Sequence, residues 1–233
     1  MNFIKTMEGF SMKKILVAGI VSLLLTGSAP SVSFAGVTNG FLTNDANTCQ
    51  VTYPIVQIDS KKIREKINDD ILAQAQELKN QVDNQIYSKA DMTYYEKYED
   101  DNIVSLMFYV NTTRRFSSQS NLKGYTIMYD KHTGERVPVT RYLTITLEQL
   151  QDALNHSRAY AVDGLDNGVN LEVPIPYVSD NYFICHDGSI GLLYQPGDLM
   201  PEEAGACKIV VSPETIAQVN EINNPPVAAG TEK

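Results

Sequence analysis

The sequence has no Trp, only three His and only three Cys among 233 residues. With the histidines at 132, 156 and 186 and no HExxH, CxxC, phosphate-loop or dinucleotide glycine pattern, nothing in the spacing assembles a metal centre or a nucleotide cradle, and no cofactor is expected. Three Cys are too few for a disulfide-stapled miniprotein. Basic runs are missing as well: Lys+Arg is 19 against 28 for Asp+Glu, a formal charge of −9, which disfavours a phosphate-backbone partner and excludes nucleic acid from the expected ligands. Long apolar runs are absent except for one, Ile15–Leu25, shorter than the ~20 residues that a bilayer-spanning helix needs.

That run has a specific setting. Lys13-Lys14 precede it, and Ser33-Phe34-Ala35 follow at a small-x-small position, so residues 1–35 read as a secretory signal peptide cleaved after Ala35, with an uncleaved anchor as the alternative. Met7-Glu8-Gly9 can be encoded by a ribosome-binding sequence, so a start of translation at Met12 is the expectation. Cleavage would remove Lys5, Lys13, Lys14 and Glu8, taking the charge from −9 to −11. The expected location is therefore outside the cytoplasm, secreted or periplasmic, with no membrane insertion once the signal is removed. A strongly acidic surface speeds encounter with cationic partners, although solubility alone explains it too.

In such a compartment Cys185 and Cys207 are candidates for a disulfide, each at the end of an apolar run, leaving Cys49 over; three free thiols are the alternative. A bridge would stabilise the fold by about 3 kcal/mol.

Residues 36–50 lack periodicity and read as a flexible leader. Val51–Ile58 is β-prone, with Pro54 marking an edge or bulge. The apolar positions Ile63, Ile67, Ile71, Ala75, Leu78, Val82 and Ile86 advance in steps of four and three, the stripe of a long helix opened by Asp59 or Ser60. Residues 92–99 and 103–112 read as strands about the turn Asp100-Asp101-Asn102, and 122–129 as a third strand. Asp130–Glu135 has the chemistry of a tight turn, and Val137 and Val139 that of a short strand. Thr146, with Gln149 three residues on, caps a helix over 147–154. Asn155–Asn170 reads as a polar surface excursion. Strands are expected at 182–185, 190–194 and 208–211, and a last helix after Ser212, with Pro213 in its first turn. From residue 221 the tail reads as disordered. Hairpins interspersed with helices give an α+β fold: a mainly antiparallel sheet packed by one long N-terminal helix and two shorter helices.

Potential chemistry is sparse. Gly188-Ser189-Ile190-Gly191 lacks the Gly two residues before the Ser that a nucleophile elbow requires, and Asp187-Gly188 is turn chemistry. The carboxylate pairs Asp69-Asp70, Asp100-Asp101 and Glu202-Glu203 read as solvated faces, so no catalytic residue is assigned. Tyr94, Tyr95, Tyr98, Phe108 and Tyr109 serve either as core or as a face that stacks a ligand.

Tyr194-Gln195-Pro196-Gly197-Asp198-Leu199-Met200-Pro201-Glu202-Glu203-Ala204-Gly205 resembles the Y-x-P-x-x-[IL]-x-P-x-x-x-G signature of the DUF3298 domain. Asp130–Gly134, Leu143 and the helix 147–154 are similar to that family's D-x-x-T-G hairpin and following helix, and Tyr53-Pro54-Ile55-Val56 with Ile67-Asn68 is similar to the DUF4163 segment that precedes it. The resemblance spans residues 51–220, with 51–112 and 113–220 as sub-parts of one module. It implies an extracellular α+β module like the RsiV anti-sigma factor ectodomain, which recognises lysozyme, and like the region preceding the deacetylase domain of peptidoglycan deacetylase PdaC. In those settings the module recognises and the chemistry lies elsewhere. The expectation is a non-catalytic binding module for a protein or cell-wall ligand, a cationic one such as lysozyme included. Its expected surface is the turn-rich acidic segment with His186, Asp187, Tyr194, Asp198, Glu202 and Glu203. The alternatives are a small cell-wall hydrolase with a carboxylate site and a structural envelope protein.

Overall fold

The computed structural model describes residues 36–171 and 173–224. The segment read as a signal peptide, the cleavage site expected after Ala35 and the residues beyond Asn224 lie outside the described residues.

Among the described residues the architecture is α+β, with two five-stranded sheets and three α-helices. The first sheet contains β1 (Gly36–Thr43), β2 (Cys49–Gln57), β3 (Tyr87–Glu99), β4 (Ile103–Arg114) and β5 (Ser120–Asp130), in that order. All its pairings are antiparallel except β2–β3, which is parallel through the crossover helix α1 (Lys61–Asp83). The second sheet runs β7 (Gly168–Val169), β6 (Ala159–Val162), β10 (Cys207–Val211), β9 (Ile190–Tyr194), β8 (Tyr182–Ile184), all antiparallel. The remaining helices are α2 (Leu147–Asn155) and α3 (Pro213–Asn223).

Several expectations change. Residues 36–50 are not a loose leader: eight of them form β1, which pairs along its length with β2 and so supplies the hydrogen bonds that β2's outer edge would lack. The long helix is not N-terminal among the elements, because two strands precede it. And Asn155–Asn170 contains β6 and β7; the Ala-rich β6 carries no apolar alternation to announce it and is held by pairing with β10.

The α1 stripe buries Ile67, Ile71, Ala75, Leu78 and Val82 against Val51, Val56, Met92, Leu106, Phe108 and Tyr129 of the first sheet. Each large aliphatic side chain so buried contributes about 2 kcal/mol. Ile86 falls just past the helix end and stays 57% exposed. Asp70, on the same helix, is no mere solvated face: it accepts a bidentate pair from Arg136 (2.8 and 3.0 Å) and the Tyr129 hydroxyl at 2.6 Å.

The opposite face of β3–β5 meets the second sheet. Met107 packs with Phe183 and Leu193 there, and Ile103 and Met128 join the core that includes Ile184, Leu192, Tyr194 and Ile209. Polar links also tie the sheets: Ser105 Oγ, fully buried, accepts the Ile184 N–H at 3.3 Å, Asn181 Oδ1 accepts the Thr126 N–H at 3.4 Å, and the Gln195 amide exchanges two hydrogen bonds with the Gly124 backbone (3.0 and 2.6 Å). α2 begins with the full capping box, Thr146 and Gln149 bonding each other's backbone. α3 fixes the segment before α2 through Asn220, which donates to Tyr142 C=O and accepts from Thr144 N–H, both at 2.7 Å. Val137 and Val139 do not form a strand. Pro138 has no N–H for a ladder, and the chain instead makes a single bridge at Arg136 and a 3-10 turn over Val139–Arg141.

Candidate functional site

The sequence-assigned residues do not converge. His186 and Asp187 lie in the β8–β9 turn, beside Ile190; Asp198, Glu202 and Glu203 follow Tyr194, at the other end of β9. Most of them are structural. Asp187 accepts the Ser189 N–H (2.9 Å) and hydroxyl (2.6 Å), closing the turn in which Gly188 takes φ 82°. Tyr194 is fully buried and donates to Tyr177 C=O at 2.9 Å. Asp198 accepts the Gln195 N–H at 2.9 Å and the Tyr177 hydroxyl, closing the turn that follows β9. Glu202 and Glu203 remain exposed on a 3-10 turn.

The same topology excludes the Cys185–Cys207 bridge. Cys185 sits opposite Ser189, whereas Cys207 pairs with Tyr194, so the two are about 17 Å apart along the strands, and two strands apart across them. A disulfide needs Cα atoms within about 7 Å. All three thiols are free, with Cys49 and Cys207 buried. Burial raises the pKa of each, that of Cys207 to about 11, the opposite of what an activated nucleophile requires.

His186 instead opens onto a hollow of about 490 Å3 where the two sheets meet. The β3–β4 turn contributes Tyr98, Asp100 and Asn102; the end of β5 and its turn contribute Asp130 and His132; Arg141 and Tyr142 close one wall, and Cys185 and His186 another. Tyr98 reaches it because of a β-bulge. The β3–β4 register shifts between Glu96 and Tyr98, so Tyr98 leaves the α1-facing row occupied by Tyr94 and joins the core on the other side. Its ring lies 5.7 Å from that of His186. The five aromatic residues of this region thus divide: Tyr94 and Phe108 face α1, Tyr95 and Tyr109 meet edge to face on the other side, and Tyr98 faces the hollow.

Both carboxylates of the hollow are preorganised. Asp100 accepts the N–H groups of Asn102 (2.8 Å) and Ile103 (2.7 Å) and the Tyr98 hydroxyl (3.2 Å). Partial burial pushes its carboxyl up, but the two N–H groups and the hydroxyl more than offset this and hold it below the usual carboxylate range. Asp130 is held low in the same way, burial being outweighed by the His132 and Thr133 N–H groups, the Thr133 hydroxyl and Arg141. The Asp100 charge, then burial, raises the Tyr98 hydroxyl; burial raises that of Tyr142. Beneath the turn Lys131, 7% exposed, donates to Glu99 (2.9 Å) and to Asp100 C=O (2.6 Å), which fixes the position of the Asp100 backbone. His132 Nε2 lies 3.1 Å from Asn102 Oδ1.

The site therefore offers ionised carboxylates against tyrosine and imidazole rings, an arrangement suited to a cationic or hydroxylated group. Among the described residues no group of three His, Cys, Asp or Glu side chains is placed to hold a metal ion. Asp100 was legible as turn chemistry and His186 as a loop residue. Tyr98, Asp130, His132, Arg141 and Tyr142 were not legible as a group, because their convergence depends on the bulge and on the packing of one sheet on the other.

No protein-family model and no curated protein matches the sequence. Among solved structures, a DUF3298 family protein from Pseudomonas aeruginosa superimposes with a TM-score of 0.50 at 9% identity, covering 79% of this chain and 92% of that one. A DUF3298 family protein from Bacteroides fragilis gives a TM-score of 0.47 at 13% identity, covering 81% and 94%. At that level of identity the likeness is one of architecture: the chain has the fold of a DUF3298 family protein.

Proposed function

We propose that this chain is an exported, non-catalytic binding module that grips a cationic group of a protein partner in the hollow between its sheets. One observation carries the reading: Asp100 is kept ionised by fixed backbone donors, beside the rings of Tyr98 and Tyr142, while Asp130, held low in the same way, is already paired with Arg141 at 3.3 Å. A carboxylate held this low is a poor general acid and a good permanent counter-charge. A lysine or arginine side chain would meet both the charge and the aromatic faces. The acidic balance of the whole chain adds long-range steering. The signal-like segment at residues 1–35 and the DUF3298 and DUF4163 resemblances support the extracytoplasmic setting and an RsiV-like role, and lysozyme is the first partner to test.

With the chain immobilised, lysozyme should be retained at low ionic strength and released by salt. Asp100→Asn should weaken retention about tenfold, while Glu202→Gln, at the other end of β9, should leave it unchanged. Absence of retention, or equal effects of the two substitutions, would sink the proposal.

A second reading, a small cell-wall hydrolase, is favoured by Glu96 alone. Burial, then the neighbouring Glu99, push its carboxyl up, while the charges of His186 and Lys131 draw it down, so a carboxyl of raised pKa lies within electrostatic reach of an imidazole. Release of muropeptides from purified wall, abolished by Glu96→Gln, would establish it over the binding reading.

A further inference from the structure

Between Asp101 and Asp130 the sequence holds no acidic residue, in a chain with 28 of them, yet it holds Arg114, Arg115 and Lys123. This stretch is the β4–β5 hairpin. Val110 pairs with Lys123 and Thr112 with Asn121, and alternate residues share a face, so Arg114 and Gln119 continue the same two rows on the side of the sheet that carries α1. Because α1 packs chiefly on β2 and β3, the far ends of β4 and β5 form an open floor beside it.

Between that floor and Leu78 and Gln81 of the helix, with Tyr87 at one end, lies a second hollow of about 400 Å3. Its lining contains two cations, Arg114 and Lys123, and no carboxylate. Gln81 is already engaged by Glu77 at 2.8 Å and the Thr112 hydroxyl donates to Asn121 C=O at 3.5 Å, whereas the Gln119 and Asn121 amides and the Thr112 oxygen lone pairs present neutral donors and acceptors between the two charges. From Val110, opposite Lys123, to Arg114 the strand advances four residues, about 13 Å. Two cations at that separation, with amide and hydroxyl groups between them, exceed what one small anion can use. The volume is that of a small-molecule site rather than of a protein interface.

We propose that this hollow binds an acidic oligosaccharide of two or three rings. Its carboxylates would pair with Arg114 and Lys123, its hydroxyls would bond Thr112, Asn121 and Gln119, and the Tyr87 ring would lie along one sugar face. This site is on the opposite face of the first sheet from the hollow at Asp100 and toward the other end of β4, and the two proposals stand or fall separately.

The test is calorimetric titration of the intact chain with trigalacturonate, maltotriose and inorganic phosphate. Trigalacturonate should bind saturably, and more weakly as salt is raised. Arg114→Gln and Lys123→Gln, both at exposed positions, should each weaken it about tenfold without moving the thermal unfolding midpoint. Maltotriose and phosphate should give no comparable signal. No binding of trigalacturonate, equal binding of neutral maltotriose, binding of phosphate alone, or an affinity indifferent to both substitutions would each overturn the proposal.

Discussion

Replacing Asp100 probes the turn that shapes the hollow. Its carboxylate accepts two backbone N–H groups at 2.8 and 2.7 Å and the Tyr98 hydroxyl at 3.2 Å, the same chemistry as a helix N-cap. Losing such a cap costs about 1–2 kcal/mol, and partial exposure keeps the figure at that level, since water can reach the freed donors. For a folded body of this size 1 kcal/mol moves the unfolding midpoint by about 2–4 °C, so Asp100→Ala should lower it by about 2–8 °C at neutral pH. Asp100→Asn, which keeps one acceptor oxygen and loses the charge, should lower it less.

The pH dependence follows from the sign of the shift. The folded carboxyl titrates below its ordinary range, so its stabilising contribution is present above the unfolded value near 3.9 and is lost as pH falls through the folded one. The difference in midpoint between the native chain and Asp100→Ala should therefore be constant from about pH 5 to 7 and shrink progressively below about pH 4. Thermal unfolding followed by far-ultraviolet circular dichroism across pH 3–7 measures it. A variant as stable as the native chain at pH 7, or a difference that persists in full at pH 3, would refute the assignment of Asp100 as an ionised structural acceptor.

Two further substitutions or treatments test the packing and the thiols. A Cβ at Gly191 would lie 2.2 Å from the ring of its cross-strand partner Phe183, which is 2% exposed and cannot swing aside, so Gly191→Ala should destabilise by about 1–3 kcal/mol in denaturant titration; a neutral result would show that the Phe183 ring is not packed over Gly191. Intact mass should be the same with and without reductant, and Cys49 and Cys207 should react with a thiol reagent only on unfolding; a 185–207 crosslink by peptide mapping would contradict the strand register.

Much of the fold can be read from residue spacing, and the reasons are local. The α1 stripe is legible because it repeats at helical period over 23 residues, and the capping box at Thr146 because both partners lie within four residues of each other. The 190–194 strand is legible because turn chemistry at Asp187-Gly188 and Pro196-Gly197 brackets it. β1 was missed because its Gly, Asn and Thr residues are held by pairing with β2 rather than by burial, and β6 because four residues carry no period. The site shows the same limit more sharply. The segment Tyr194–Gly205 drew attention as a dense motif, yet its Tyr194 and Asp198 close turns and fill the core, and Gln195 joins the sheets. Only the bulge at Glu96–Tyr98 and the packing of β8 against β3–β5 bring Tyr98, Asp130, Tyr142 and His186 together, and neither is encoded in a short run of sequence.

The measurement that bears most directly on the binding role is a backbone-amide NMR titration of the isotopically labelled chain with lysozyme. Saturable, salt-sensitive shifts confined to residues 98–103, 130–142 and 184–188, around the Asp100 hollow, are expected. Shifts centred on Glu202–Gly205, or a spectrum left unchanged by excess lysozyme, would contradict that role.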